Sequence, residues 1–137
     1  MITNIKDNLK TILTEIVEFK KVYGYEPGKE GIPSALPAFT IKTTGMDEVI
    51  PSEIAGQDRI YNVIVKAYIK LIDAENTQKD IDNVIDLVLN ELQAKPSLDG
   101  SCDFFKVTAV DVIHLTDRKN PVSVVNFYLS ITEEVNV

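Results

Sequence analysis

One histidine and one cysteine bound the chemistry open to this chain. His114 follows Asp111 by three residues, and an imidazole beside a carboxylate is a common start for acid–base or metal work. Both fall in a stretch that alternates like a strand, where residues three apart point to opposite faces and cannot share a proton. A dyad of His114 with Cys102 would need the fold to bring them together, and no nucleophile signature surrounds either residue. The single thiol gives no internal disulfide and no Cys-based zinc motif. Gly28-Lys29-Glu30-Gly31 is glycine-rich, yet a phosphate loop needs Ser or Thr after Gly-Lys, and Glu30 follows Lys29. Asp80, Asp82, Asp86 and Glu91 crowd one helical stretch, with Asp82 and Asp86 a turn apart on the face away from its apolar stripe. That pattern reads as a solvated face rather than a cation site. The expectation is no catalytic residues, no cofactor and no metal.

The elements that would position any site come from the periodicity. At 137 residues and 45% hydrophobic, the chain has the size and composition of one domain, residues 1–137, with one core. Residues 4–21 read as an amphipathic helix, with Ile5, Leu9, Ile12, Leu13, Ile16 and Phe19 on one face and Thr3 or Asn4 as its cap. Residues 38–43 alternate as a short strand, and residues 58–71 as a long one. On the latter, Tyr61, Val63, Val65, Ala67, Ile69 and Leu71 share a face, while Ile64 and Tyr68 imply partial cover of the other, by another subunit for example. Asn76 to Asp80 opens a second helix, with Thr77 and Asp80 in a near-capping-box spacing, and Ser97-Leu98-Asp99-Gly100 turns the chain. Strands at 103–115 and 122–132 close the order, the first with a bulge near Ala109–Asp111. The expected fold is α+β: a mainly antiparallel four-stranded sheet with two helices packed on one face, in the order α-β-β-α-β-β, with long loops.

Two loops, 24–37 and 44–57, are long enough to suggest function. Apolar residues in them, Tyr23, Tyr25, Met46, Val49, Ile50 and Ile54, are the candidates for a subunit or partner interface; folding back onto their own domain is the competing account. The formal net charge of −7 disfavours nucleic acid as a bound partner, and the adjacent basic pairs, Lys20-Lys21 and Arg118-Lys119, make no stripe. Acidity suits a protein that lets DNA pass without adhering, with Asp47, Glu48, Glu53 and Asp58 as candidates for an acidic lumen. No signal peptide and no apolar run of membrane-spanning length is visible, so no membrane role is expected.

The layout as a whole resembles a known family. An amino-terminal helix leads through a Pro/Gly-rich loop into Ala38-Phe39-Thr40-Ile41, then the long strand Arg59 to Tyr68, the helix Ile81 to Leu92, Leu98-Asp99-Gly100 and two closing strands. This resembles the tail terminator and tail completion proteins of long-tailed bacteriophages, including the minor tail protein U type of lambda, as a pattern of elements rather than an invariant motif. The resemblance implies a non-enzymatic virion protein, assembled in the host cytoplasm and placed at the tail–head junction. It implies a hexameric ring that caps the tail tube, ends its polymerisation and offers the joining surface to the head connector. The implied partners are further copies of the chain, the tail tube protein and a connector or neck protein, with DNA passing through unbound. Two alternatives stand beside it: another neck or head-completion protein, or a small bacterial ligand-binding or regulatory α+β domain.

Overall fold

A computed structural model describes residues 2–16, 21–23, 36–52, 56–71, 73–98, 100, 102–116 and 121–136; at 21, 47–52, 56–58 and 135–136 it describes the backbone. The elements in chain order are α1 (Ile2–Thr14), β1 (Lys21–Tyr23), β2 (Ala38–Ser52), β3 (Gly56–Lys70), α2 (Ala74–Gln93), β4 (Phe104–Leu115) and β5 (Val122–Asn136). The strands form one five-stranded sheet in the order β1-β2-β3-β5-β4. The class is α+β as expected, but the sheet is mixed and has five strands rather than four: β1 runs parallel to β2, whereas every other pair is antiparallel.

The alternation along β3 and β5 decides which face is covered. Tyr61, Val63, Val65, Ala67 and Ile69 of β3 and Val125, Phe127, Leu129 and Ile131 of β5 form one buried cluster with Phe39 and Ile41 of β2. Ile5, Leu9, Ile12 and Leu13 of α1 and Ile81, Val84, Val88 and Leu92 of α2 complete that cluster, so both helices lie on the same side of the sheet. Spacings of three and four residues put each apolar set on one helical stripe. Among the described residues, the opposite face is closed at one end, where Tyr68, Val122 and Val124 pack with Leu36 and Leu115. The cover expected over Tyr68 thus comes from its own chain.

Several expected boundaries move. The first helix ends at Thr14 rather than near residue 21, and Thr3 and Asn4 lie inside it rather than capping it. Its last turn tightens into three-residue hydrogen bonds, Glu15 to Ile12 and Ile16 to Leu13. Lys21, expected as the last residue of the helix, instead opens a short strand, Lys21–Tyr23, that pairs with Ala38, Phe39 and Thr40. The second helix begins at Ala74, and its cap is Asp73, whose extended backbone lets its carboxylate accept from the Asn76 amide at 2.9 Å. Thr77 sits buried inside the first turns and is not part of a capping box.

The largest correction concerns residues 44–57. Residues 44–52 and 56–57 are strand rather than loop: β2 runs on to Ser52 and pairs with β3 as far as Ser52 opposite Gly56, while residues 53–55 lie outside the described residues. Register shifts after Thr43 and after Met46 insert Thr44 and Asp47 as extra residues, which breaks the two-residue alternation that marks a strand. In β4 the bulge falls at Thr108, just ahead of the expected place, between Val107 opposite Leu129 and Ala109 opposite Tyr128. It hands the covered face from Phe105 and Val107 to Val110. The turn at 97–100 forms as read, with the Gly100 amide on the Ser97 carbonyl at 3.1 Å and Gly100 at a φ of 84° that suits glycine.

Candidate assembly surface

The residues singled out for chemistry are held apart by the strands that carry them. His114 lies on the helix side of β4 and shares its Nδ1 with the Ser123 hydroxyl at 2.8 Å across the β4–β5 pair. Ser123 is fully buried, so this pair is a cross-strand tie rather than an exposed nucleophile and base. Asp111 belongs to the other face. It accepts from the Asn126 amide at 2.8 Å and from the Tyr128 hydroxyl at 3.0 Å. That hydrogen bond is the main reason the Tyr128 phenol is raised above its usual range.

Cys102 is buried just before β4, at the far end of the strand from His114. A strand of that length spans roughly 40 Å, too far for a dyad. Burial, then the nearby carboxylates of Asp103 and Glu133, push the Cys102 thiol up to about 11. The carboxylates of α2 are local: Asp82 accepts from Gln78 at 2.9 Å, Glu75 pairs with Lys79 at 3.3 Å, and Asp80, Asp82 and Asp86 are exposed. Among the described residues no group of three His, Cys, Asp or Glu is placed to hold a metal ion. Gly28 to Gly31 lie outside the described residues.

The interface candidates divide in the same way. Tyr23 is half-buried on β1, opposite Thr40. Met46 is 44% exposed on β2, opposite Tyr61. Val49 and Ile50 are strand residues opposite Arg59 and Asp58, while Tyr25 and Ile54 lie outside the described residues. Of the lumen candidates, Asp47, Glu48 and Asp58 come together on the backbone of the β2–β3 hairpin, and Glu53 lies outside the described residues. The register adds two carboxylates outside that set: Glu134 opposite Asp58 and Glu133 opposite Arg59. Asp103 joins them, because its carboxylate accepts from the Glu134 amide and its own amide donates to the Thr132 carbonyl. One end of the sheet is therefore strongly acidic.

The sheet's edges are the features that periodicity could not reveal, since strand order is set by pairings distant in sequence. β4 is an edge strand of 12 residues, unpaired on its outer side among the described residues. It exposes Phe104 at 58%, Ile113 at 49% and Val112 at 36%. On the opposite edge β1 covers β2 only from Ala38 to Thr40, and residues 41–52 have no described strand on their outer side. Long edges with exposed apolar side chains invite another strand unless something blunts them. Here the edges carry bulges at 44, 47 and 108, Pro51, and the charged residues Lys42, Asp47, Glu48, Lys106 and Asp111, yet β4 still exposes the apolar side chains named above. Reading the register across the sheet, Thr40 is level with Lys66, Asn126 and Asp111, and Lys42 with Ile64, Tyr128 and Ala109. Further along, Gly45 is level with Asn62, Ser130 and Lys106, and Glu48 with Ile60, Thr132 and Phe104.

Comparison with known proteins adds no relative: no protein-family model and no curated protein matches this chain.

Proposed function

We propose that this protein is a structural virion component that closes into a six-membered ring on the end of a phage tail tube, ends its polymerisation and presents the joining surface to the head connector. The observation that carries the reading is the pair of unlike edges, β4 on one side of the sheet and residues 41–52 of β2 on the other, that are unpaired on their outer sides among the described residues. Two different complementary surfaces on one chain make a heterologous contact, which produces a ring where the rotation closes. The family resemblance supplies the ring size and the place in the particle. The side chains fit a building block better than a catalyst, because His114, Cys102 and the carboxylates of α2 each hold a separate structural contact or face solvent.

The test is assembly. Native mass spectrometry across a concentration series, with electron microscopy of the same samples, is expected to give hexamers and rings. Added to polymerising tail tubes, the protein is expected to fix their length and sit at one end. A chain that stays monomeric at high concentration and leaves tube length unchanged overturns the proposal. Rings found on DNA-filled heads instead of tails would move it to a neck or head-completion role.

A further inference from the structure

The outer edge of β4 is complementary to itself in charge and in apolar surface. We infer that in the free protein β4 of one copy pairs antiparallel with β4 of a second copy about a two-fold axis at Thr108–Ala109, so that Lys106 of each copy meets Asp111 of the other.

The faces come first. The register with β5 puts Phe104, Lys106, Ala109, Asp111 and Ile113 on the open face of the sheet, and Phe105, Val107, Val110 and Val112 on the helix side. Lys106 and Asp111 are five residues apart and would point to opposite faces of a regular strand. The bulge at Thr108 puts them on the same one. Antiparallel strands related by a two-fold axis normal to the sheet set residues of one face against each other. Both copies carry the bulge at the axis, so extra residue answers extra residue and neither strand falls out of step.

Register follows from the side chains. With Lys106 opposite Asp111, Phe104 comes opposite Ile113 on the open face, while Phe105 meets Val112 and Val107 meets Val110 on the helix side. The large apolar side chains that β4 exposes, Phe104, Val112 and Ile113, thereby all gain apolar partners. Symmetry makes the charge pair twice. The Asp111 carboxylate is already held by the Asn126 amide and the Tyr128 hydroxyl, and a carboxylate has room for a further donor. A slide of one pleat sets Phe104 against Asp111 in one direction and Lys106 against Ile113 in the other, and neither slide makes an opposite-charge pair. The contact goes beyond the ring and competes with it. While β4 is paired with itself that edge is closed to a ring joint, so a copy enters a ring only after its dimer opens.

Mixing charge variants of the full chain tests the contact, read by sedimentation equilibrium and native mass spectrometry in low salt. The parent chain is expected to be dimeric at the dilute end of a concentration series. Asp111→Lys alone sets lysine against lysine twice, and Lys106→Asp alone sets aspartate against aspartate twice. Each is expected to weaken dimerisation about tenfold, with melting curves showing that the variants are folded. An equal mixture of the two remakes both opposite-charge pairs and is expected to give heterodimers of near-parental strength, which a damaged fold would not. In Lys106→Cys/Asp111→Cys the two positions of one chain lie about 13 Å apart, beyond disulfide reach, so mild oxidation is expected to give covalent dimers. The slipped pair, Lys106→Cys/Ile113→Cys, is expected to give few. Single variants that dimerise like the parent, a mixture that recovers nothing, or cross-linking through 106 and 113 in place of 106 and 111 overturn this contact and leave the ring standing. A parent chain that passes from monomer to ring with no dimer does the same. Dimers that obey the mixing rule but never yield rings, alone or on tail tubes, keep the contact and overturn the ring.

Discussion

Thr40 is an anomaly at the scale of one side chain. It is fully buried on the face away from the helices, and its hydroxyl has no hydrogen-bond partner among the described residues. Burying a hydroxyl without a partner costs about 1–3 kcal/mol, so removing it while keeping the β-branched shape recovers part of that cost. Thr40→Val is expected to raise stability by about 1 kcal/mol in denaturant melts, and a loss of that size would show that the hydroxyl is satisfied in solution. Cys102 gives a second check. With its thiol held near 11 rather than the ordinary 9.0, burial first and the Asp103 and Glu133 carboxylates next, it stays protonated at neutral pH. A disulfide reagent at pH 8 should react with the native protein at least about a hundredfold more slowly than with the unfolded chain, the thiolate being the reacting form. The folded pKa is raised, so the associated stability is complete below the unfolded value and declines as pH climbs through about 11. Fast stoichiometric labelling of native protein would place Cys102 at the surface.

At the scale of elements, the α2 cap makes a prediction of opposite sign. Asp73 is held below the usual carboxylate range by the Asn76 amide first and the Asn76 side chain second, the latter at 2.8 Å. A depressed carboxylate contributes stability above its unfolded pKa and loses it as pH falls through the folded one. Asp73→Ala should therefore lower the melting midpoint at pH 7, with the gap to the parent chain closing in acid. Asp73→Asn keeps an acceptor and should retain most of the stability without that pH dependence. An equal deficit of the alanine variant at pH 7 and at pH 2 would assign its effect to something other than the charged cap. The same helix shows what periodicity can and cannot reveal. Its stripe of Ile81, Val84, Val88 and Leu92 was legible because burial alone selects those positions, whereas the start was not, since Asp73, Thr77 and Asp80 all have capping chemistry. The β2 arm was hidden more thoroughly. Gly45, Pro51 and Gly56 are turn residues by type, and extra residues at 44 and 47 reverse the alternation twice within five positions. β1 was invisible because three residues carry too little pattern. The candidate surface depended on strand order and not on composition: Met46, expected in a loop, is exposed on β2, while Phe104, Val112 and Ile113 became edge residues only once β4 lay outside β5.

For the whole molecule, the decisive quantity is where its charge lies. A ring of six copies at −7 each carries about −42 before counter-ions, a field of one sign around any central opening. The register concentrates part of it: Asp47, Glu48 and Asp58 on the hairpin stand beside Glu133, Glu134 and Asp103, with Arg59 among them. In the proposed ring this acidic end of the sheet faces the central opening. DNA is itself a dense line of negative charge, so an acidic mouth repels it and keeps it from adhering in transit. Solubility alone is the competing reason for an acidic chain. Asp47 and Asp58, one on each strand of this end, are the probes. Asp47→Lys/Asp58→Lys is expected to leave rings intact by electron microscopy yet slow genome ejection severalfold in about 10 mM salt, where the screening length is about 30 Å. The defect should fade near 0.15 M, where screening shortens to about 8 Å, because only charges close to the passing duplex still act on it. Ejection at the parental rate in low salt would show that these carboxylates lie away from the path, leaving solubility as the reason for their charge.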